Sequence, residues 1–337
     1  MRNYLFFLFL LAIASCAEAA TDTRLRQIAI VDLPGDPGFN QIAMANGQVV
    51  ISRPATNTIE IFSPVKRRVI ARISQIDDPR GIAVDDEGLR VYIALGGSNR
   101  IAVVNSKNWQ VEKLIPIAHR PEKLLWVPES KSLYATSLLD RTLSIVDPVT
   151  GTEKAVIALD ALPQDMVYDA TRQMVWISLQ DRREVAGIDA SNKIVNRYTL
   201  AASEPTGLAL DKRRLYVAVR YAVVVLDADT GAELLRIAAP GGTSTLVLDP
   251  AGNLLYAASG DGSVLAIDLT SNTVDHELPT NVKGYGIAYD PSHKMLFLPG
   301  GREGRSKMVI LTPFAVTEKP PAASAKNPPS QGQTAKK

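Results

Sequence analysis

The chain has 337 residues, 46% hydrophobic and 21% charged, with 22 glycines and 21 prolines, a globular composition that excludes wholesale disorder and collagen-like repeats. Its 37 basic and 35 acidic residues leave a net charge of +2. Part of that excess sits in the final stretch, so no strongly basic body points to nucleic acid. The single cysteine, Cys16, lies in the N-terminal apolar segment, which excludes a disulfide framework or a cysteine-built metal or haem motif in the body.

Met1-Arg2-Asn3 is a short positive start, and Tyr4 to Ala14 is an apolar stretch with the length of a signal-peptide core rather than a bilayer span. Residues 1–20 therefore read as an export signal. Two processing readings stay open. Ala17-Glu18-Ala19 fits small-x-small cleavage, whereas Ile13-Ala14-Ser15-Cys16 resembles a bacterial lipoprotein box, which would lipidate Cys16 and tie the body to a membrane through acyl chains. Either reading makes the protein extracytoplasmic: periplasmic, secreted or membrane-anchored.

From residue 24 the chain repeats itself, and self-similarity decides the fold. A phrase Pro-x-Gly-apolar-x-apolar-Asp recurs at Pro79–Asp85 and Pro205–Asp211, with equivalent starts at Phe39, Pro79, Pro121, Pro163, Pro205, Thr243 and Gly284. Spacings of 40, 42, 42, 42, 38 and 41 define seven units. Within each unit, short apolar runs between turn residues predict successive antiparallel strands. The second unit gives Gly81–Val84, Val91–Ala94, Ile101–Val104 and Val111–Ile117. Four strands cannot bury both faces alone, so the prediction over residues 24–314 is an all-β, seven-bladed propeller of four-stranded blades. The seventh unit has three strands and stops at Pro313, while Gln27–Val31 stands alone before the first. That N-terminal strand is predicted to close the last blade and remove an open edge.

The second strands read Val91-Tyr92-Ile93-Ala94, Leu133-Tyr134-Ala135-Thr136, Leu215-Tyr216-Val217-Ala218 and Leu255-Tyr256-Ala257-Ala258. With the Pro-x-Gly phrase and apolar-Asp-x-x-Thr-Gly turns, they resemble the bacterial YVTN-type (YncE-like) propeller repeat. The resemblance implies a secreted or cell-surface propeller, in a family whose members mostly lack a defined activity. Only the third unit keeps the Thr of the name-giving motif, and none keeps its Asn. Val146-Asp147, Ile188-Asp189, Leu226-Asp227 and Ile267-Asp268 stand where a WD40 repeat would carry Trp-Asp. Asp147-Pro-Val-Thr-Gly151 and Asp227-Ala-Asp-Thr-Gly231 read as turns rather than calcium loops: Asp accepts backbone N–H bonds, Gly takes the positive-φ position, and the distal Glu of an EF-hand is missing.

In a propeller, loops leading into each first strand share a face with loops joining second and third strands. The former include Asp78, Arg80, Arg120, Glu122, Asp165 and Glu204; the latter include Arg53, Arg100, Arg141, Arg183 and Arg220. An acidic mouth inside a basic rim results, and Arg recognises carboxylates and phosphates in bidentate fashion. Arg80, Arg100, Arg120, Arg141, Arg183 and Arg220 are the candidate ligand-binding set. Asp78, Glu122, Asp165 and Glu204 are an alternative metal set like that of propeller lactonases. His119 with Glu122 and Asp165 is an alternative catalytic group, while His276 and His293 fall on an outer strand and on the opposite face. Trp126, Trp176 and Trp109 read as blade packing. No Gly-rich phosphate loop opens a helix.

Residues 317–337, rich in Pro, Ala, Ser, Gln and Lys, read as a disordered tail. The expected function is a monomeric, non-enzymatic exported propeller without a cofactor, binding a protein or anionic surface polymer on its loop-rich face and not nucleic acid. Membrane contact would come only through a lipid on Cys16. The alternative is an extracytoplasmic enzyme, a lactonase-like hydrolase or quinone-linked oxidoreductase, acting at the channel mouth.

Overall fold

The computed structural model describes residues 21–317 except 202, 240, 241, 250 and 285. The expected signal segment, Cys16 and the tail from 318 lie outside the described residues. Seven antiparallel sheets follow one another along the chain, six with strands in sequence order, the first being Ile42–Ala45, Gln48–Arg53, Thr58–Ser63 and Arg68–Ile73. The second blade is Pro79–Val84, Arg90–Leu95, Arg100–Asn105 and Gln110–Pro116, within two residues of the predicted strands.

Burial explains why the sequence alternates in some strands and not in others. Ser132–Ser137, Met174–Leu179 and Leu254–Ser259 are buried along their whole length because neighbouring blades cover both faces. Outer strands such as Thr152–Ala158 and Ile194–Thr199 alternate exposed with half-buried residues, as one face looks to solvent. The core is divided into seven apolar clusters, one at each interface between adjacent blades. The cluster joining Phe297, Met308 and Ile310 of the last blade to Ile42, Val49 and Phe62 of the first closes the ring.

The seventh sheet is completed as expected. Thr21–Asp32 pairs antiparallel with Arg305–Thr317, which pairs with Met295–Arg302. Both end strands run further than the sequence pattern indicated, past Pro313 to Thr317 and back to Thr21. Pro313 is tolerated because pairing with Met295–Arg302 has ended at Leu311, which leaves a neighbour on one side only.

The glycine of the Pro-x-Gly phrase has a steric cause. A Cβ on Gly81 would lie 2.7 Å from the Glu122 carbonyl oxygen, and one on Gly207 would lie 2.6 Å from that of Ser244. In both cases the obstruction is backbone of the next inner strand, which cannot rotate away. Gly207→Ala is expected to lower stability by about 1–3 kcal/mol, the usual cost of overpacking, readable as a lower urea midpoint with an unchanged m-value. An unchanged midpoint would remove this explanation of the phrase.

The tyrosines of the second strands pack across blade interfaces. Tyr92 stacks on Trp126 of the next blade with centroids 5.6 Å apart, and Tyr256 meets Tyr289 at 5.4 Å. Trp176 is buried against Tyr198 within its own blade, and Trp109 packs beside the cluster between the first two blades.

Candidate functional site

The loop-rich face surrounds the channel, and its inner wall comes from the start of each first strand. The third residue of each phrase is Gln41, Gly81, Lys123, Asp165, Gly207, Thr245 or Gly286. At Gly81 and Gly207 the side chain at this place in the preceding blade reaches over to the backbone of the residue that follows the glycine. Gln41 clasps the Ile82 backbone, its Oε1 accepting from the N–H at 3.1 Å and its Nε2 donating to the carbonyl at 3.3 Å. Asp165 Oδ2 accepts from the Leu208 N–H at 2.9 Å. Burial raises the Asp165 pKa, with Lys123 and the N–H groups of Leu208 and Met166 pulling the other way.

At the channel rim the expected acids and bases have found each other. Arg80 donates to both oxygens of Glu122 at 2.9 Å and to Asp78 at 2.8 Å, and Arg120 donates to Asp78 at 2.6 Å. Burial opposes ionisation of Asp78, yet the bonds from Arg80 and Arg120 outweigh it and lower the pKa. Arg80 and Arg120 are thus occupied within the protein.

The four acids of the alternative metal set are not brought together. Asp78 and Glu122 are held by guanidinium groups, Asp165 bonds backbone inside the channel, and Glu204 lines a different groove. Among the described residues no three His, Cys, Asp or Glu side chains are grouped to hold a metal ion. The alternative catalytic group is dispersed likewise, since His119 faces Asp140 at 3.5 Å while Glu122 faces Arg80. None of the described residues that line the channel opening is aromatic.

Further out the arginines divide into two groups. Arg141 pairs with Asp181 at 3.1 Å. Arg53, expected on the rim, is instead buried beneath it with Glu60. Arg183 and Arg220 remain exposed, and neither guanidinium has a hydrogen-bond or ion-pair partner among the described residues. They line a groove of about 430 Å³ with Ser203, Glu204, Tyr221 and Arg236. Tyr221 is 65% exposed, and the Arg220 guanidinium lies 5.5 Å from its ring centroid. Arg100, in the second blade, is also exposed.

Arg183 also carries backbone strain. The residue before the third strand is left-handed in several blades, and in the first and second it is asparagine, Asn57 and Asn99, both at φ 51°, while in the sixth it is Gly262. The third and fourth blades place Arg141 and Arg183 there, both at φ 56°, a conformation that suits Gly and Asn better than Arg.

The opposite face is built of turns, as the Asp-x-x-Thr-Gly phrases indicated. Asp147 Oδ1 accepts from the N–H groups of Val149 and Thr150, and Asp227 Oδ1 from those of Asp229 and Thr230. Gly151 and Gly231 have φ of 78° and 72°. His293 pairs with Asp290 at 2.7 Å on this face, and His276 Nδ1 accepts from the Leu25 N–H at 3.0 Å on the outer strand. The N–H of Thr150 lowers the Asp147 pKa, that of Lys193 lowers Asp189, and that of Thr230 lowers Asp227. A folded pKa below the unfolded value of about 3.9 means the folded state binds fewer protons. The contribution is therefore complete above about pH 4 and is lost as pH falls through the folded pKa. Asp227→Asn keeps an acceptor and removes the titration, so its melting midpoint is expected to fall less than that of the parent between about pH 5 and about pH 3. Parallel curves would contradict the assignment.

More of the inner wall is legible in the repeat register than the charged loop residues alone. Gln41, Lys123 and Thr245 share one phrase position with Asp165 and the three glycines Gly81, Gly207 and Gly286, and register alone places them around the channel. Tyr221 and Arg236 carry no motif, and only the fold brings them to Arg183.

Comparison with known proteins agrees with this architecture. A family model described as outer membrane protein assembly factor BamB matches residues 167–295, less than half of the chain, rather than the YVTN-type family that the second strands resemble. Antigen Lp49 of Leptospira interrogans is 23% identical over 252 residues, covering 69% of this chain and 55% of that protein. The chain thus spans about half the length of this relative. Among solved structures, Kuenenia stuttgartiensis hydrazine synthase superposes with a TM-score of 0.73 at 15% identity, covering 82% of this chain and 96% of the matched chain. At that identity the likeness speaks for the fold alone. The chain is a β-propeller. No helix among the described residues is long and apolar enough to cross a membrane.

Proposed function

We propose that this chain is an exported, non-enzymatic propeller of the YVTN type that binds an acidic protein segment on its loop-rich face. The carrying observation is the groove beside Tyr221, where the guanidinium groups of Arg183 and Arg220 stand without hydrogen-bond or ion-pair partners among the described residues while Arg80, Arg120 and Arg141 are paired. Two unpaired guanidinium groups next to an exposed aromatic ring suit carboxylates flanking an apolar side chain. Strain at Arg183 supports the reading, because the position would be more comfortable as asparagine. Export is supported by the signal-like residues 1–20 and by the likeness to an envelope assembly factor, with lipidation at Cys16 as one form of it.

The test separates binding from folding. Arg183→Asn combined with Arg220→Gln is expected to weaken binding of a fluorescent Glu- and Phe-containing peptide at least about tenfold. The same change should leave the melting midpoint equal or slightly higher, since relief of left-handed strain is worth up to ~1 kcal/mol. Binding of the parent should weaken with added salt. Unchanged affinity in the double variant would refute the proposal, and preference for an anionic polysaccharide over the peptide would change the partner class.

A further inference from the structure

The channel opening encloses about 550 Å³, the size of a small-molecule site. Its wall carries two ammonium groups, Lys123 and Lys283, against one carboxylate, Asp165. Neither lysine side chain has a hydrogen-bond or ion-pair partner among the described residues. Asp165 already uses Oδ2 on the Leu208 N–H, and its raised pKa limits how far it offsets the two cations. The same wall includes a stranded acceptor: Asn40 Oδ1 is buried without a partner among the described residues, while Asn40 Nδ2 reaches Glu122 at 3.4 Å. Ser244, Thr245 and Gln164 add hydroxyl and amide groups to the same wall.

Unpaired cations call for an anion, and a stranded acceptor calls for a donor on the same molecule. The geometry points to a second binding site, in the channel mouth, for a small hydroxylated carboxylate of the sugar-acid class, its carboxylate on Lys123 and Lys283 and a hydroxyl donating to Asn40 Oδ1. This site is separate from the Arg183 groove and does not depend on it. A free sugar acid and the terminal residue of an acidic glycan present the same chemistry.

Calorimetric titration of the full chain with glucuronate, glucose and acetate tests the assignment. Glucuronate is expected to bind, with glucose and acetate at least about tenfold weaker because each lacks one half of the recognition. Lys283→Met and Lys123→Met should each weaken glucuronate by a similar factor, and Asn40→Ala should remove the preference over acetate. Lys283 is exposed, so an unchanged melting midpoint in Lys283→Met certifies the fold. Arg183→Asn with Arg220→Gln should leave glucuronate binding intact. A uronate-terminated oligosaccharide binding as tightly as glucuronate assigns the glycan end as the source; binding confined to the monosaccharide assigns the free acid. No binding of glucuronate, galacturonate or gluconate at millimolar concentration, or binding indifferent to both lysines, overturns the proposal.

Discussion

A chain lacking Thr21–Asp32 is expected to lose the cooperative fold of the whole ring, not only of its last blade. The strand contributes eleven register pairs with Arg305–Thr317, which corresponds to about ten backbone hydrogen bonds at a net 0.5–1.5 kcal/mol each. It also buries Leu25, anchors the Thr23 N–H on Asp275 at 2.9 Å and the Leu25 N–H on His276 at 3.0 Å, and pairs Asp32 with Lys307. The sum is on the order of the entire stability of a domain, about 5–15 kcal/mol. Its removal would also bare a thirteen-residue strand as an aggregation-prone edge. The expected result is loss of the near-ultraviolet circular dichroism signal and of a sigmoidal melt, with aggregation on concentration. A truncated chain that melts cooperatively within a few degrees of the parent would show that the ring does not depend on its closing strand.

Breaking the buried Arg53–Glu60 pair from either side is expected to produce the largest effects of any single substitution. Arg53 and Glu60 are 1% and 0% exposed and lie 2.9 Å apart. The guanidinium also donates to Ser306 Oγ at 3.0 Å and to the carbonyls of Pro34 and Asp36, and lies 4.9 Å from the Phe39 ring centroid. One side chain thereby ties the first blade to the last and to the loop between them. Removing one partner of a buried ion pair leaves the other uncompensated, at about 3–5 kcal/mol. Arg72 still reaches Glu60 at 2.8 Å, so Arg53→Met should fall at the lower end of that range and Glu60→Leu, which strands Arg53, at the upper. The double variant should be more stable than the sum of the singles predicts. Urea unfolding of the three variants decides this: additive losses, or an Arg53→Met midpoint equal to the parent, would mean that the pair does not hold the junction.

These two effects show how unevenly the sequence discloses the molecule. Repeat spacing and strand alternation are local signals amplified seven times, so the blade count, the second-blade strands and the closing role of the N-terminal segment were all readable from the chain. The Asp turns were readable for the same reason: Asp147 and Asp227 meet their N–H donors two and three residues away. Charge pairing was not. Arg53 and Arg183 occupy comparable loops and looked alike as rim bases, yet one is buried against Glu60 and the other is exposed. What distinguishes them is a carboxylate on the adjacent strand of the same blade, Glu60, seven residues away for Arg53, and no such partner for Arg183 among the described residues. Asp78, Glu122, Asp165 and Glu204 looked like one acidic constellation because each precedes or opens a first strand. Packing sends their side chains to different neighbours. The groove beside Tyr221 is a product of tertiary structure, since Ser203, Tyr221 and Arg236 come from separate connections and strands.

The most direct test of the loop-face account is amide hydrogen exchange on the parent chain with and without the Glu- and Phe-containing peptide. The account predicts slowed exchange in the segments around Ser203–Glu204 and Val219–Ala222, with no change in the turns Asp147–Gly151 and Asp227–Gly231 on the opposite face. Protection confined to that opposite face, or spread evenly over the outer strands, would contradict it.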